Sequence, residues 1–149
     1  MERTFFSNTE EDMLALGKQI GALLTGGSFA ALYGDLGAGK SVLARGIASS
    51  LDIPSLTSPT FTIVQEYPSD PPLFHFDAYR LSDADELYAI GFSDYLSRNG
   101  IILMEWADLV QECLPKERLD IRIVGSGMEP RSVSIEPHGM TYEKLVRVL

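Results

Sequence analysis

One stretch of the sequence combines residue types that bind phosphate. Residues 34–41 read Gly-Asp-Leu-Gly-Ala-Gly-Lys-Ser, which fits the Gly-x4-Gly-Lys-Ser/Thr pattern of a P-loop. The glycines permit backbone conformations and a close approach that side chains would block, so successive N–H groups can point at phosphate oxygens. Lys40 offers a point charge to the terminal phosphates, and Ser41 offers a hydroxyl to magnesium. The alternative is a glycine-rich turn with an incidental lysine.

Two acidic residues are candidates for the metal-organising acid that a P-loop needs at the end of a buried strand. Glu105 and Asp77 each directly follow a short apolar run. If residues 73–77 form a strand, His75 and Asp77 share one of its faces, and both can face the same site. From spacing alone, an ordinary structural role stays open for all three residues.

Two further groups could act on a nucleotide. Thr60 follows a proline downstream of the P-loop, where nucleotide-binding proteins carry a loop that senses the γ-phosphate. A proline turn whose hydroxyl satisfies the backbone explains it equally well. Arg45, Arg80 and Arg131 are candidates for an arginine that neutralises charge in the transition state, and Arg80 is the preferred one.

The elements around the loop support the phosphate-binding interpretation. Ser7 with Glu10, or Asn8 with Glu11, is spaced as a capping box for a first amphipathic helix. The apolar run 29–33 lies between glycines, which is typical of a strand buried on both faces. Apolar residues at helical spacing follow the loop. The sequence therefore predicts the strand–loop–helix setting in which a P-loop works.

The rest of the chain alternates strand and helix patterns, without an internal repeat or a low-complexity linker. The predicted segments are a β-rich stretch at 61–67 and a strand at 73–77 in a hairpin-like pair, helices at 82–91 and 92–96, a buried strand at 101–104, an antiparallel pair at 119–123 and 133–135, and a final helix capped by Thr141.

Composition limits the class of protein. A chain of 149 residues with 45% hydrophobic content suits one domain. With 12 basic and 21 acidic residues the formal charge is −9, so autonomous binding to a nucleic-acid backbone is not expected. The single cysteine, Cys113, excludes an internal disulfide and is interpreted as a buried or incidental thiol. With no signal peptide or membrane-spanning run, we expect a soluble, unprocessed, cytoplasmic protein.

Four blocks of sequence, taken together, resemble the bacterial TsaE (YjeE) family. They are the loop at 34–41, Ser-Pro-Thr-Phe-Thr at 58–62, His-Phe-Asp-Ala-Tyr-Arg-Leu at 75–81, and Glu-Trp at 105–106. The blocks after the first are absent from generic P-loop proteins. The resemblance covers essentially the whole chain and implies an α/β, three-layer P-loop NTPase fold. In that fold a single domain, 1–149, has a central mixed, mostly parallel sheet and an antiparallel extension.

The resemblance also implies a function. The family consists of ATPases that use ATP and Mg²⁺ and hydrolyse ATP only weakly in isolation. They work with TsaB and TsaD in making N6-threonylcarbamoyladenosine (t6A) at position 37 of tRNA. Hydrolysis resets the TsaB–TsaD complex between its catalytic cycles, so tRNA is involved only through that complex.

Particular residues take on expected roles by the same resemblance. Ser41 and Glu105 would bind magnesium, and Asp77 would be a base or water organiser near the γ-phosphate. The family usually has threonine where this chain has Ser41, and a hydroxyl remains. The nucleotide-contacting residues would be Glu10, Leu36, Gly37, Ala38, Gly39, Lys40, Ser41 and Gly127; the catalytic ones Lys40, Asp77 and Glu105; and the switch or partner-facing ones Thr60, His75, Tyr79, Arg80 and Trp106.

Three other functions share these features. A small-molecule kinase uses the same loop and magnesium, but it needs an acceptor pocket and usually a lid. Only the stretch 82–96 could serve as a lid, and its acidic charge would repel an anionic acceptor. A GTPase would carry an Asn/Thr-Lys-x-Asp segment, which the sequence lacks. A module that senses nucleotide without significant hydrolysis stays open.

Overall fold

The computed structural model describes residues 1–57, 59 and 62–149. The strands are β1 (Arg3–Ser7), β2 (Phe29–Tyr33), β3 (Val64–Tyr67), β4 (Leu73–Asp77), β5 (Ile101–Glu105), β6 (Arg118–Val124) and β7 (Arg131–His138). The helices are α1 (Glu10–Leu23), α2 (Lys40–Ser50), α3 (Ala84–Ala89), α4 (Phe92–Ser97) and α5 (Met140–Val148), with a 3-10 helix at Ala107–Cys113.

The seven strands form one mixed sheet in the order β1-β7-β6-β2-β5-β4-β3. The four central strands, from β6 to β4, are parallel to one another. Antiparallel pairs extend the sheet at both edges, through β7 and β1 on one side and β3 on the other. The predicted mixed sheet with an antiparallel extension is confirmed, as are both predicted hairpin-like pairs. Because β2, β4 and β5 are parallel, their carboxyl ends meet at one edge of the sheet.

Helices cover both faces of the central strands, which gives three layers. Successive side chains of a strand point to opposite faces. Accordingly, Ala30 and Leu32 of β2 pack with α1, α2 and α5, whereas Ala31 and Tyr33 pack with α3, α4 and the 3-10 helix. Cys113 belongs to this second cluster and is buried, as predicted. Within the described part of the chain, no helix has the length and apolar character needed to cross a bilayer.

Two glycines let α1 and α2 cross at close range beneath the P-loop. A Cβ atom on Gly17 would lie 2.4 Å from the Leu43 carbonyl oxygen, and one on Gly46 would lie 2.4 Å from the Leu14 carbonyl oxygen. These positions tolerate no side chain without movement of the backbone. The contact brings the start of α1 close to the P-loop, which precedes α2.

The predicted caps of α1 and α5 are wrong, and strand β1 was not predicted from the sequence. Ser7 lies in β1 and pairs with Arg131, so α1 begins later than either capping box requires. The cap is instead Thr9, whose side-chain oxygen accepts a hydrogen bond from the Asp12 N–H at 3.0 Å. The last helix begins at Met140 after Gly139, so Thr141 lies inside it and does not cap it. Strand pairing of Ser7 decides the first case, and Gly139, which precedes Met140, decides the second.

Candidate functional site

A cavity of about 670 Å³ lies where β2, β4 and β5 end. Its walls come from the P-loop, the start of α1, the ends of β4 and β5, and the turn between β6 and β7. The candidate residues in this lining are Glu10, Leu36, Gly37, Ala38, Gly39, Lys40, Ser41, Asp77, Tyr79, Glu105, Trp106 and Gly127. Residues from distant parts of the sequence are therefore brought together around one space.

The P-loop has the backbone conformation that its glycines allow. Gly37 and Gly39 have φ angles of +80° and +110°, in the left-handed region that side chains disfavour. The Ala38 N–H donates to the Asp35 carbonyl at 3.1 Å, and α2 begins immediately afterwards at Lys40. The first N–H groups of α2 have no partner within the helix, so this end of α2 suits an anion.

Lys40 is buried against the loop that it belongs to. Its Nζ donates to the carbonyl oxygens of Gly34 and, at 3.1 Å, of Asp35. The same atom lies 4.0 Å from the centroid of the Trp106 ring, within the range of a cation–π contact. Burial lowers the pKa of Lys40 below its ordinary value, and the carboxylates of Glu105 and Asp77 offset part of this effect.

The two strand-end acids stand side by side, because Asp77 and Glu105 are paired residues of the parallel strands β4 and β5. Both are largely buried, with exposed fractions of 7% and 8%. The Asp77 carboxylate accepts a hydrogen bond from the Tyr79 N–H at 2.9 Å. Glu105 Oε2 lies 2.6 Å from His75 Nε2. His75 is not part of the cavity lining, but it contacts Glu105, which is.

An aromatic pair stands at the cavity wall. The rings of Tyr79 and Trp106 are 4.9 Å apart, and Tyr79 is exposed. Trp106 has a φ angle of +58°, which turns the chain directly after Glu105. Arg80 is exposed and does not line the cavity, whereas Arg131 does.

Several lining residues carry no signal of a binding role in the sequence. They come from the β1–α1 connection, from α1 and from the β6–β7 turn: Ser7, Asn8, Thr9, Met13, Met128 and Glu129. Only the pairing of β1 with β7 and the close crossing of α1 and α2 place them here. Thr60 lies outside the described residues.

The oxygen atoms in the cavity suit magnesium. Mg²⁺ prefers hard oxygen ligands and is held in proteins by one or two carboxylates together with phosphate and water. The Ser41 hydroxyl and the Glu105 and Asp77 carboxylates all line the same space. Among the described residues, no group of three or more histidine, cysteine, aspartate or glutamate side chains is placed to hold a metal by itself.

Comparisons with known proteins identify the family of this chain. The family model described as threonylcarbamoyl adenosine biosynthesis protein TsaE matches residues 7–133. The tRNA threonylcarbamoyladenosine biosynthesis protein TsaE of Bacillus subtilis is 40% identical over 141 residues, which cover 93% of this chain and 88% of the relative. The protein of the same description from Streptomyces coelicolor is 41% identical over 116 residues, covering 74% and 78% of the two chains.

A solved structure shares the fold over nearly the full length. The crystal structure of YdiB from Bacillus subtilis superposes with a TM-score of 0.86 at 34% sequence identity, covering 99% of this chain and 93% of that chain. With a family match across 7–133 and relatives of this similarity, the chain belongs to the TsaE family of threonylcarbamoyladenosine biosynthesis proteins.

Proposed function

We propose that this protein binds ATP with Mg²⁺ in the cavity, hydrolyses the ATP, and acts in this way on the TsaB–TsaD complex during t6A modification of tRNA. The observation that carries the proposal is the meeting of a P-loop with two paired strand-end carboxylates in one cavity. Family membership supports the choice of process.

Nucleotide binding is assigned to the P-loop and to two other parts of the cavity wall. The backbone N–H groups of the loop and the start of α2 would hold the phosphates, with Glu10 and Gly127 contacting the nucleotide elsewhere. Lys40 would turn its amine from its own loop carbonyls toward the terminal phosphates. The lowered pKa reflects the cost of burying this charge, which a phosphate partner would offset.

Hydrolysis is assigned to the strand-end acids. Ser41 and Glu105 would hold the metal, with the His75 contact fixing the orientation of the Glu105 carboxylate. A bound Mg²⁺ would neutralise charge on the phosphate oxygens. The Asp77 carboxylate would accept a proton from, or orient, the attacking water, and its bond from the Tyr79 N–H keeps it in place.

The structural change that follows hydrolysis would be transmitted to the surface by Tyr79 and Trp106. Tyr79 is exposed, and it contacts Trp106, which in turn contacts Lys40. A change at Lys40 on hydrolysis would therefore reach the surface through two ring contacts. With a formal charge of −9, a protein surface is the preferred partner of this face, and tRNA is reached only through the complex.

Packing of α3 and α4 favours this reading over a kinase. These helices occupy the stretch that would serve as a kinase lid. Leu87 and Phe92, one from each helix, are fully buried against the sheet. Neither helix contributes to the cavity lining.

The test is a pull-down of purified TsaB–TsaD by this protein with Mg²⁺ and either no nucleotide, ATP or ADP, followed by an assay of phosphate release by the mixture. We expect nucleotide-dependent association and hydrolysis that rises when TsaB–TsaD is added. Association that ignores nucleotide would refute the proposed action on the complex. Association without any phosphate release would favour a nucleotide-sensing module. The control is Arg147→Gln, at an exposed residue of α5 that is not part of the cavity lining, and this variant should behave like the wild type.

A further inference from the structure

The Arg131 side chain joins the P-loop to the turn between β6 and β7. Its Nε donates to the Ala38 carbonyl at 3.0 Å, and its Nη2 donates to the Gly37 carbonyl at 3.2 Å. Nη2 also donates to the Gly127 carbonyl at 3.3 Å, and Nη1 donates to that of Glu129. One guanidinium therefore bonds four main-chain carbonyls, two in each loop.

The fold prepares this position for an arginine. Arg131 is the first residue of β7 and pairs with Ser7 of β1, so its backbone is held in the sheet. A Cβ atom on Gly125 would lie 2.9 Å from Arg131 Cδ and 2.7 Å from the Pro130 carbonyl oxygen. The absence of a side chain at Gly125 leaves the space that the arginine stem occupies.

The bonds determine which way the P-loop peptides face. In a trans peptide, the C=O and the following N–H point in opposite directions. Drawing the Ala38 carbonyl toward Arg131 therefore turns the Gly39 N–H away from it. That N–H belongs to the group that a P-loop directs at phosphate. A planar guanidinium has its five donors in fixed directions, so it sets both loops at once, which a lysine ammonium cannot do.

We propose that Arg131 is a positioning residue that holds the phosphate loop and the Gly127 turn together as one preformed nucleotide site. This inference rests on the proposed binding of nucleotide in the cavity. It assigns Arg131 to main-chain geometry, and it leaves direct neutralisation of phosphate charge to Lys40 and the metal.

The test compares Arg131→Lys and Arg131→Gln with the wild type. The matched controls are Arg122→Lys and Arg122→Gln, at an exposed arginine of β6 that stacks on Tyr33. Two quantities are measured below the melting temperature of every variant. They are the Kd for ADP and for ATP with Mg²⁺, by calorimetry, and hydrogen exchange of the nucleotide-free protein across residues 36–40 and 126–129.

We expect both Arg131 variants to bind both nucleotides about tenfold more weakly, the equivalent of about one charge-assisted hydrogen bond. Exchange should accelerate in both segments together, while the central strand β2 and the Arg122 variants stay at wild-type values. Lysine should behave like glutamine, because it keeps the charge and loses the fork.

Three results would overturn the proposal. Wild-type affinity in Arg131→Lys with weak binding in Arg131→Gln would show that only charge matters. Unchanged Kd values in both variants would show that the bonds do not shape the site. Exchange that stays slow in residues 36–40, or that accelerates throughout the sheet, would show that Arg131 does not hold the two loops together locally. A wild-type protein that binds neither nucleotide would instead refute the proposed function. The exchange data on the nucleotide-free protein would still test whether Arg131 holds the two loops together.

Discussion

His75 Nε2 lies 2.6 Å from Glu105 Oε2, between two neighbouring parallel strands, and the two side chains are only 2% and 10% exposed. The other ring nitrogen of His75, Nδ1, is buried without a hydrogen-bond partner among the residues that the structure describes. A buried polar atom that is left unpaired costs free energy. Within the described part of the chain, the His75 ring is therefore held by its bond to Glu105, and this bond directs the carboxylate that we assign to the metal.

His75→Ala should weaken binding of Mg²⁺, because the Glu105 carboxylate loses the partner that orients it. Loss of such an outer partner typically lowers metal affinity by about 10- to 100-fold. The measurement is the Mg²⁺ concentration at half-maximal ATP hydrolysis in the presence of TsaB–TsaD. The control is His138→Ala, at the other histidine of the chain, which bonds Asp120 and Glu136. An unchanged Mg²⁺ requirement in His75→Ala would contradict the assignment.

Asp77→Asn should slow hydrolysis and leave nucleotide binding nearly intact. The asparagine oxygen can still accept the Tyr79 N–H, so the local structure is kept while the base is lost. General-base catalysis contributes about 100-fold or more, and we expect a loss of that size in turnover with TsaB–TsaD present. Asp94→Asn removes the same charge from an exposed position on α4 outside the cavity lining, and this variant should hydrolyse ATP at the wild-type rate. Normal turnover by Asp77→Asn would remove Asp77 from the mechanism.

Lys40→Met should change how stability depends on pH. Burial lowers the pKa of Lys40 below 10.5, so the unfolded chain binds more protons than the folded one just below that pH. The wild type therefore gains stability as pH rises toward 10.5 in this window, and Lys40→Met lacks that gain. Urea unfolding at several values from about pH 7 to about pH 10 measures the difference. Parallel stability curves for the two proteins would rule out the effect, and exposed Lys18→Met serves as the control.

Gly46→Ala should destabilise the protein by about 2 kcal/mol. Overpacking against backbone typically costs about 1–3 kcal/mol, which exceeds the gain of about 1 kcal/mol in helix propensity. The new Cβ would lie 2.4 Å from the Leu14 carbonyl oxygen. Chemical denaturation measures the free energy of unfolding. Ser49→Ala, on the exposed side of the same helix, should stay within about 0.5 kcal/mol of the wild type. A stabilised Gly46→Ala would mean that the helices cross less closely.

Local patterns in the sequence predicted the elements that depend on neighbouring residues. The P-loop motif, the buried run of β2 and the apolar periodicity of α2 all act over a few residues, and the structure has them at the expected places. The alternation at 119–123 and 133–135 likewise predicted the β6–β7 pair. The caps at Ser7 and Thr141 failed because strand pairing and the preceding Gly139 decided where those helices begin.

By itself, the sequence determined that this protein carries a glycine-rich P-loop motif with a lysine and a hydroxyl, together with acids at strand ends, because spacing and side-chain chemistry are local properties. Only the tertiary structure decided that Asp77 and Glu105 are paired, that His75 contacts Glu105, and that Arg131 reaches Ala38. The last contact spans 93 positions of the chain. Contacts of this kind depend on the order of strands in the sheet, which is set by how the whole chain buries its apolar faces, and no spacing within one segment encodes it.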